Sequence, residues 1–140
     1  MNTFIQSNNL KPGDVIVVPK SELNIVDHYV IYLGINEDGL HVFAENNNIY
    51  GVRFISYDQF YQENRTYKRI RRFVGSDYER NLAVNRAISL YGKPYHLTQF
   101  NCEDYANYVQ YQKATSRQTN IGLGIAVLSI FALAGVFSKK

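Results

Sequence analysis

The run His28-Tyr29-Val30-Ile31-Tyr32-Leu33-Gly34 is apolar on both of its alternating faces. That is the pattern of a strand covered on both sides, not of an edge strand with one wet face. Such a strand needs neighbours, and the flanking sequence supplies them. Upstream, Lys11-Pro12-Gly13 introduces the β-branched run Asp14 to Val18, which Pro19 closes. Downstream, Asn36-Glu37-Asp38-Gly39 reads as a hairpin turn into Leu40 to Ala44. Further strands are expected around Tyr50 to Ile55 and Tyr67 to Val74. The front half of the chain therefore predicts a small, mostly antiparallel sheet.

From about Asp77 the period changes. Ala83, Ala87, Ile88 and Tyr91 recur at helical spacing, Gly92 stands at a helix end, and Pro94 prevents resumption. A second helix is predicted to start at Asn101, a good N-cap. Glu103 and Asp104 fall in its first turn, where acidic residues suit the dipole, and Tyr105, Ala106 and Val109 continue the face. Cys102 then occupies a helix N-terminus, and the fold class is α+β.

At 140 residues the chain has room for one domain, and a 46% hydrophobic fraction with 14% aromatic is ample for a single core. Fifteen basic against twelve acidic residues, a formal charge of +3, is too balanced for a dedicated nucleic-acid binder. One denser patch, Arg65, Lys68, Arg69, Arg71 and Arg72, reads as a solvated face, as a contact for anionic lipid headgroups or, least of the three, as a contact for nucleic acid. A single cysteine excludes an internal disulfide, and no Cys/His cluster has the spacing of a zinc site. Met1 to Leu10 lacks the basic-then-apolar order of a signal peptide, which favours synthesis in the cytosol. The glycosylation acceptor Asn64-Arg65-Thr66 is accordingly read as chance.

Ile121 to Phe137 forms an uncharged stretch of 17 residues flanked by Arg117, Lys139 and Lys140. It is somewhat short of the roughly 20 residues usual for a spanning helix, yet sufficient for a thin bilayer. A domain this small has little room to enclose such a segment on every side. The expected organisation is a domain over residues 1–116 and a C-terminal membrane anchor over residues 117–140. Gly122, Gly124 and Gly135 equally suit close packing against a partner helix.

A thiol at a helix N-terminus meets the partial positive charge of unsatisfied amides, which favours the thiolate, the species that attacks carbonyls. A base within hydrogen-bond reach is also needed, usually a histidine oriented by a third polar group. The chain offers His28, His41 and His96. His28, opening the most buried strand, is either a base or a satisfied core histidine. His41 lies on the next strand of the hairpin, where side chains opposite one another come within reach. A lone cysteine is more often inert filler, so residue types alone leave a Cys102/His28/His41 site undecided.

These residues sit in strings that resemble a known family. His28 to Gly34, preceded by Lys11-Pro12-Gly13-Asp14, resembles the histidine block of the lecithin retinol acyltransferase family, particularly its small phospholipase A and acyltransferase branch. Arg86-Ala87, Leu90, Gly92, Tyr95, Leu97-Thr98 and Asn101-Cys102-Glu103 resemble its cysteine block. With the apolar tail in place, the resemblance runs from Leu10 to Phe137. It implies a circularly permuted papain-like α+β domain, with histidines on an antiparallel sheet and the cysteine on a helix. It also implies that Cys102 attacks a glycerophospholipid ester while His28 takes the thiol proton and returns it to the departing lysophospholipid. The thioester-linked acyl enzyme is then resolved by water, an amine or an alcohol. No metal or other cofactor is implied. The implied partners are a phospholipid substrate and the cytoplasmic face of a membrane, held by a single-pass tail.

Two positions depart from the family pattern. Asp104 stands where the family's cysteine motif usually continues with His. The family's second histidine aligns with His41 if the hairpin turn has shifted by a residue or two, and with Phe43 if it has not. His41 and Glu45 share one strand face, and the third role is assigned to His41. His96 is read as structural or on the surface. Two other readings remain: certain picornavirus proteins resemble the same family and need not catalyse lipid turnover, and a papain-like amidase or peptidase would act on a soluble peptide.

Overall fold

In a computed structural model that describes residues 3–20 and 26–113, the doubly apolar strand takes the centre of the sheet. It is β2 (Asp27–Ile35), flanked by β1 (Val15–Pro19) and β3 (His41–Asn47); β4 (Gly51–Ser56) and β5 (Arg69–Arg71) form the edges. The order is β4-β3-β2-β1-β5, with every pairing antiparallel. The helices are α1 (Thr3–Ser7), α2 (Tyr57–Glu63), α3 (Asp77–Ser89) and α4 (Cys102–Tyr111).

Each face of the sheet has its own core, as the side-chain alternation of β2 requires. On one side Val15, Val17, Tyr29, Ile31, Ala44 and Val52 pack with Ala83 and Ala87 of α3 and with Tyr105, Ala106 and Val109 of α4. On the other, Ile16, Val18, Val30, Tyr32, Phe43 and Ile55 are covered by Ile5, Leu10 and Phe60. Phe60 stacks on Phe43 with ring centroids 4.5 Å apart. Its helix, α2, is started by the Ser56 hydroxyl, which accepts from the Gln59 N–H.

The structure differs from the sequence expectations in several elements. The short helices α1 and α2 were not foreseen. β5 is three residues long, well short of Tyr67 to Val74. Pro19 is the last residue of β1, opposite Asp27, where a missing N–H is tolerated. Gly34 takes φ +104 at a register shift between β2 and β3, and a Cβ there would lie 3.1 Å from Pro12 Cγ, so the turn-proximal end of the hairpin requires glycine.

The basic patch is largely engaged within the fold. Asp14, fully buried, accepts from Arg72 and Arg80 and from the Lys11 and Phe73 amides. Arg71 donates to Gln110 and Asn107 of α4, and Lys68 Nζ lies 2.6 Å from Asp27. The expected anchor segment Ile121–Phe137 lies outside the described residues. Among the described residues no helix is long and apolar enough to cross a membrane.

Candidate active site

Local capping builds the N-terminus of α4. The Asn101 side chain accepts from the Asp104 N–H at 3.0 Å, and the Asp104 carboxylate accepts from the Asn101 N–H at 2.9 Å. This reciprocal box accounts for Asp104, the departure from the family pattern: it is a buried cap. A long-range tie adds to it, since Asn46 of β3 donates to the carbonyls of Phe100 and Asn101. Cys102 opens the helix with 8% exposure, its Sγ 3.7 Å from the carbonyl oxygen of Asp27. The thiol therefore sits against the start of β2, beside His28.

His28 is 6% exposed, and its Nε2 lies 2.7 Å from Glu45 Oε1. Its Nδ1 is buried without a well-formed hydrogen bond among the described residues. With Nε2 held by Glu45, Nδ1 is the nitrogen left to face Cys102. Burial alone would depress the imidazole. The interactions with Cys102 and with the Glu45 carboxylate outweigh it and raise His28 to about 9. The favoured neutral-pH state of His28 is thus an imidazolium between Cys102 and the Glu45 carboxylate.

Glu45 is 1% exposed. Burial pushes its carboxyl upward, but His28 on one oxygen and Arg53 on the other bring it below the ordinary carboxylate range. Arg53 of β4 grips Glu45 Oε2 through Nε at 3.1 Å and Nη2 at 2.9 Å. It also reaches Glu63 of α2 at 3.2 Å.

His41 does not meet His28, contrary to expectation. In an antiparallel hairpin the first residue of one strand lies opposite the last of the next, and His41 pairs with Ile35. Its Nδ1 is 2.7 Å from the Tyr32 hydroxyl. Glu45 stands directly across from Val30, which makes it the diagonal neighbour of His28 on the same face, within reach of a long side chain. The turn at Asn36 to Gly39 sets Ile35 against His41, but the register shift between Tyr32 and Gly34 is what brings Glu45 opposite Val30, and that shift left no sign in the sequence. Arg53 and Glu63 had no signal either, because the role of Glu45 that they support was not assigned. His96 is exposed, with its Nδ1 accepting from the Gln99 N–H, and helps close the loop before α4.

A groove of about 490 Å³, lined by Leu33, Ile35, Leu40, Val42, Phe54 and Ile88, opens at the far end of the hairpin beside His41. It is apolar and includes none of Cys102, His28 and Glu45, so its size does not make it the site of chemistry. Among the described residues no cluster of His, Cys, Asp and Glu is suited to holding a metal ion.

A cysteine at a helix N-terminus, a strand histidine against it and a carboxylate behind the histidine are the residue types that nucleophilic catalysis requires of a nucleophile, a base and an orienting group. The family model for lecithin retinol acyltransferase matches residues 8–115, and the chain belongs to that family. Membership points to acyltransferase or phospholipase-type chemistry in general. No curated protein and no solved structure matches the chain.

Proposed function

We propose that the protein is a cysteine-dependent phospholipase A and acyltransferase, acting on glycerophospholipids at a membrane surface through a thioester acyl-enzyme. The observation that carries this reading is His28 held by Glu45 at Nε2, with Nδ1 buried, without a well-formed hydrogen bond among the described residues, and the ring interacting with Cys102. The strand histidine precedes the helix cysteine in the chain, as a circularly permuted papain-like order requires.

In the reactive pair the proton of Cys102 Sγ is already held on His28 Nδ1, as the raised imidazole favours, and the thiolate attacks the ester carbonyl carbon. As the tetrahedral species collapses the ester C–O bond breaks, and the proton on Nδ1 goes to the departing lysophospholipid oxygen. Water, an amine or an alcohol then gives a proton to Nδ1 and attacks the thioester, and the C–S bond breaks to release the sulfur as a thiolate beside the imidazolium. Glu45 keeps Nε2–H in place through both halves. We read Ile121–Phe137 as the anchor that holds this site at the cytoplasmic face of a bilayer, where the substrate is concentrated.

Intact-protein mass spectrometry of the full chain with phosphatidylcholine vesicles tests the mechanism, beside Cys102→Ala and His28→Ala. The expected result is an added acyl mass and lysophospholipid release, both lost in Cys102→Ala. A folded, vesicle-bound protein that shows neither adduct nor lipid cleavage would sink the proposal.

A further inference from the structure

We infer, on the reading of the site given above, that Arg53 is a positioning residue: it holds Glu45 ionised throughout the cycle, and thereby holds His28 in the tautomer that turns Nδ1 toward Cys102. The need for such a residue follows from the proton movements. While His28 is an imidazolium, its own charge keeps the buried Glu45 ionised. Each time His28 gives up its proton, that cation vanishes and burial favours protonation of the carboxyl. A protonated Glu45 would no longer be an obligatory acceptor for Nε2–H, and the ring could take its proton on Nδ1 instead.

Arg53 removes this failure because a guanidinium stays charged at every pH the protein meets. Its fork engages the oxygen of Glu45 that His28 does not use, through two nitrogens at 2.9 and 3.1 Å. Arg53 is itself fixed from outside. Glu63 accepts from its Nη2 at 3.2 and 3.3 Å, Gln59 donates to Glu63, and the guanidinium lies 4.7 Å from the centre of the Tyr50 ring. The groups that set the charge of Glu45 therefore come from three further elements: His28 of β2, Arg53 of β4, and Glu63 of α2 acting through Arg53. Cys102 of α4 faces His28 on the other side.

The test uses the full chain, whose single cysteine makes alkylation by iodoacetamide unambiguous. The rate of alkylation against pH is compared for wild type, Arg53→Gln, Arg53→Lys, Glu45→Gln and Arg53→Gln/Glu45→Gln, with circular dichroism to check folding. Arg53→Gln is expected to move the acidic midpoint up by roughly one pH unit, because Glu45 then protonates earlier and His28 loses its anion. Arg53→Lys keeps the charge and should recover most of that shift. Lipid turnover by Arg53→Gln should fall about ten- to a hundredfold in kcat with little change in KM.

Because Arg53 acts through Glu45, adding Arg53→Gln to Glu45→Gln should change the profile no further. Superimposable profiles for wild type and folded Arg53→Gln would overturn the inference. So would a further shift in the double variant, which leaves no buried carboxylate unpaired and carries the test if Arg53→Gln alone does not fold. Alkylation needs no lipid substrate, so the expected shifts without any lipid cleavage would leave the Arg53 relation standing while the enzymatic reading fails.

Discussion

The two ends of the β2–β3 hairpin each carry a histidine with a polar partner at 2.7 Å, yet they differ in what surrounds that bond. At one end His28 is nearly enclosed, its partner is a carboxylate pinned by Arg53, and a thiol lies alongside. At the other, half-buried His41 meets the neutral phenol of Tyr32 at the rim of an apolar groove. The hydrogen-bond length is the same, so length does not make a base. Burial beside a permanent negative charge does, because it ties the ring's protonation to its neighbours and gives each nitrogen a separate task.

The sharpest way to break this comparison is to remove the participants one at a time. Cys102→Ala should abolish acyl-enzyme formation, and His28→Ala should lower its rate about a thousandfold, within the range usual for loss of a general base. His41→Ala should stay within about threefold of wild type in the same single-turnover assay, since on the present geometry it touches no reacting group. Comparable losses for His41→Ala and His28→Ala would put the chemistry at the wrong end of the hairpin.

Glu45→Gln keeps the shape of the side chain and removes its charge, and should slow acylation about a hundredfold. It should also flatten the dependence of stability on pH. His28 is held above its ordinary value of 6.5, at about 9. Its contribution to stability is therefore present in full below about pH 6.5 and is lost as pH rises through about 9. Glu45 is held below its ordinary range, so its contribution is present above that range and is lost as pH falls beneath it. Wild-type Tm should thus decline toward both extremes, and a Glu45→Gln profile that declines equally at both would count against the pair.

The smallest effect belongs to the other end. Tyr32→Phe removes the hydroxyl that meets His41 and should cost about 1 kcal/mol in urea unfolding, the usual net worth of one hydrogen bond. Acylation should be unchanged. A large loss of activity in Tyr32→Phe would show that the two ends are coupled through β2.

Much of the frame was legible because its signals are local. The double-sided apolar run of β2 announced a central strand, and Asn101 with the acidic turn after it announced the start of α4. α2 gave little notice: of its seven residues only Phe60 is buried, so it has almost no apolar stripe to read. β5 was overestimated because it ends at Arg71, and Arg72 beyond it turns to Asp14 and to the carbonyls of Asn8 and Asn9.

By itself the sequence determined the elements that depend on neighbours along the chain: the alternation of β2, the turn at Asn36 to Gly39, and the capping of the helix that Cys102 opens. Only the tertiary structure decided which acid stands behind His28 and what the thiol rests against. Glu45 reaches His28 through the hairpin register and a diagonal side-chain contact, while Cys102 comes to Asp27 across 75 positions of sequence by the packing of α4 on the sheet. Such contacts are set by how whole elements bury their apolar faces, and a sequence read one window at a time carries no record of that placement.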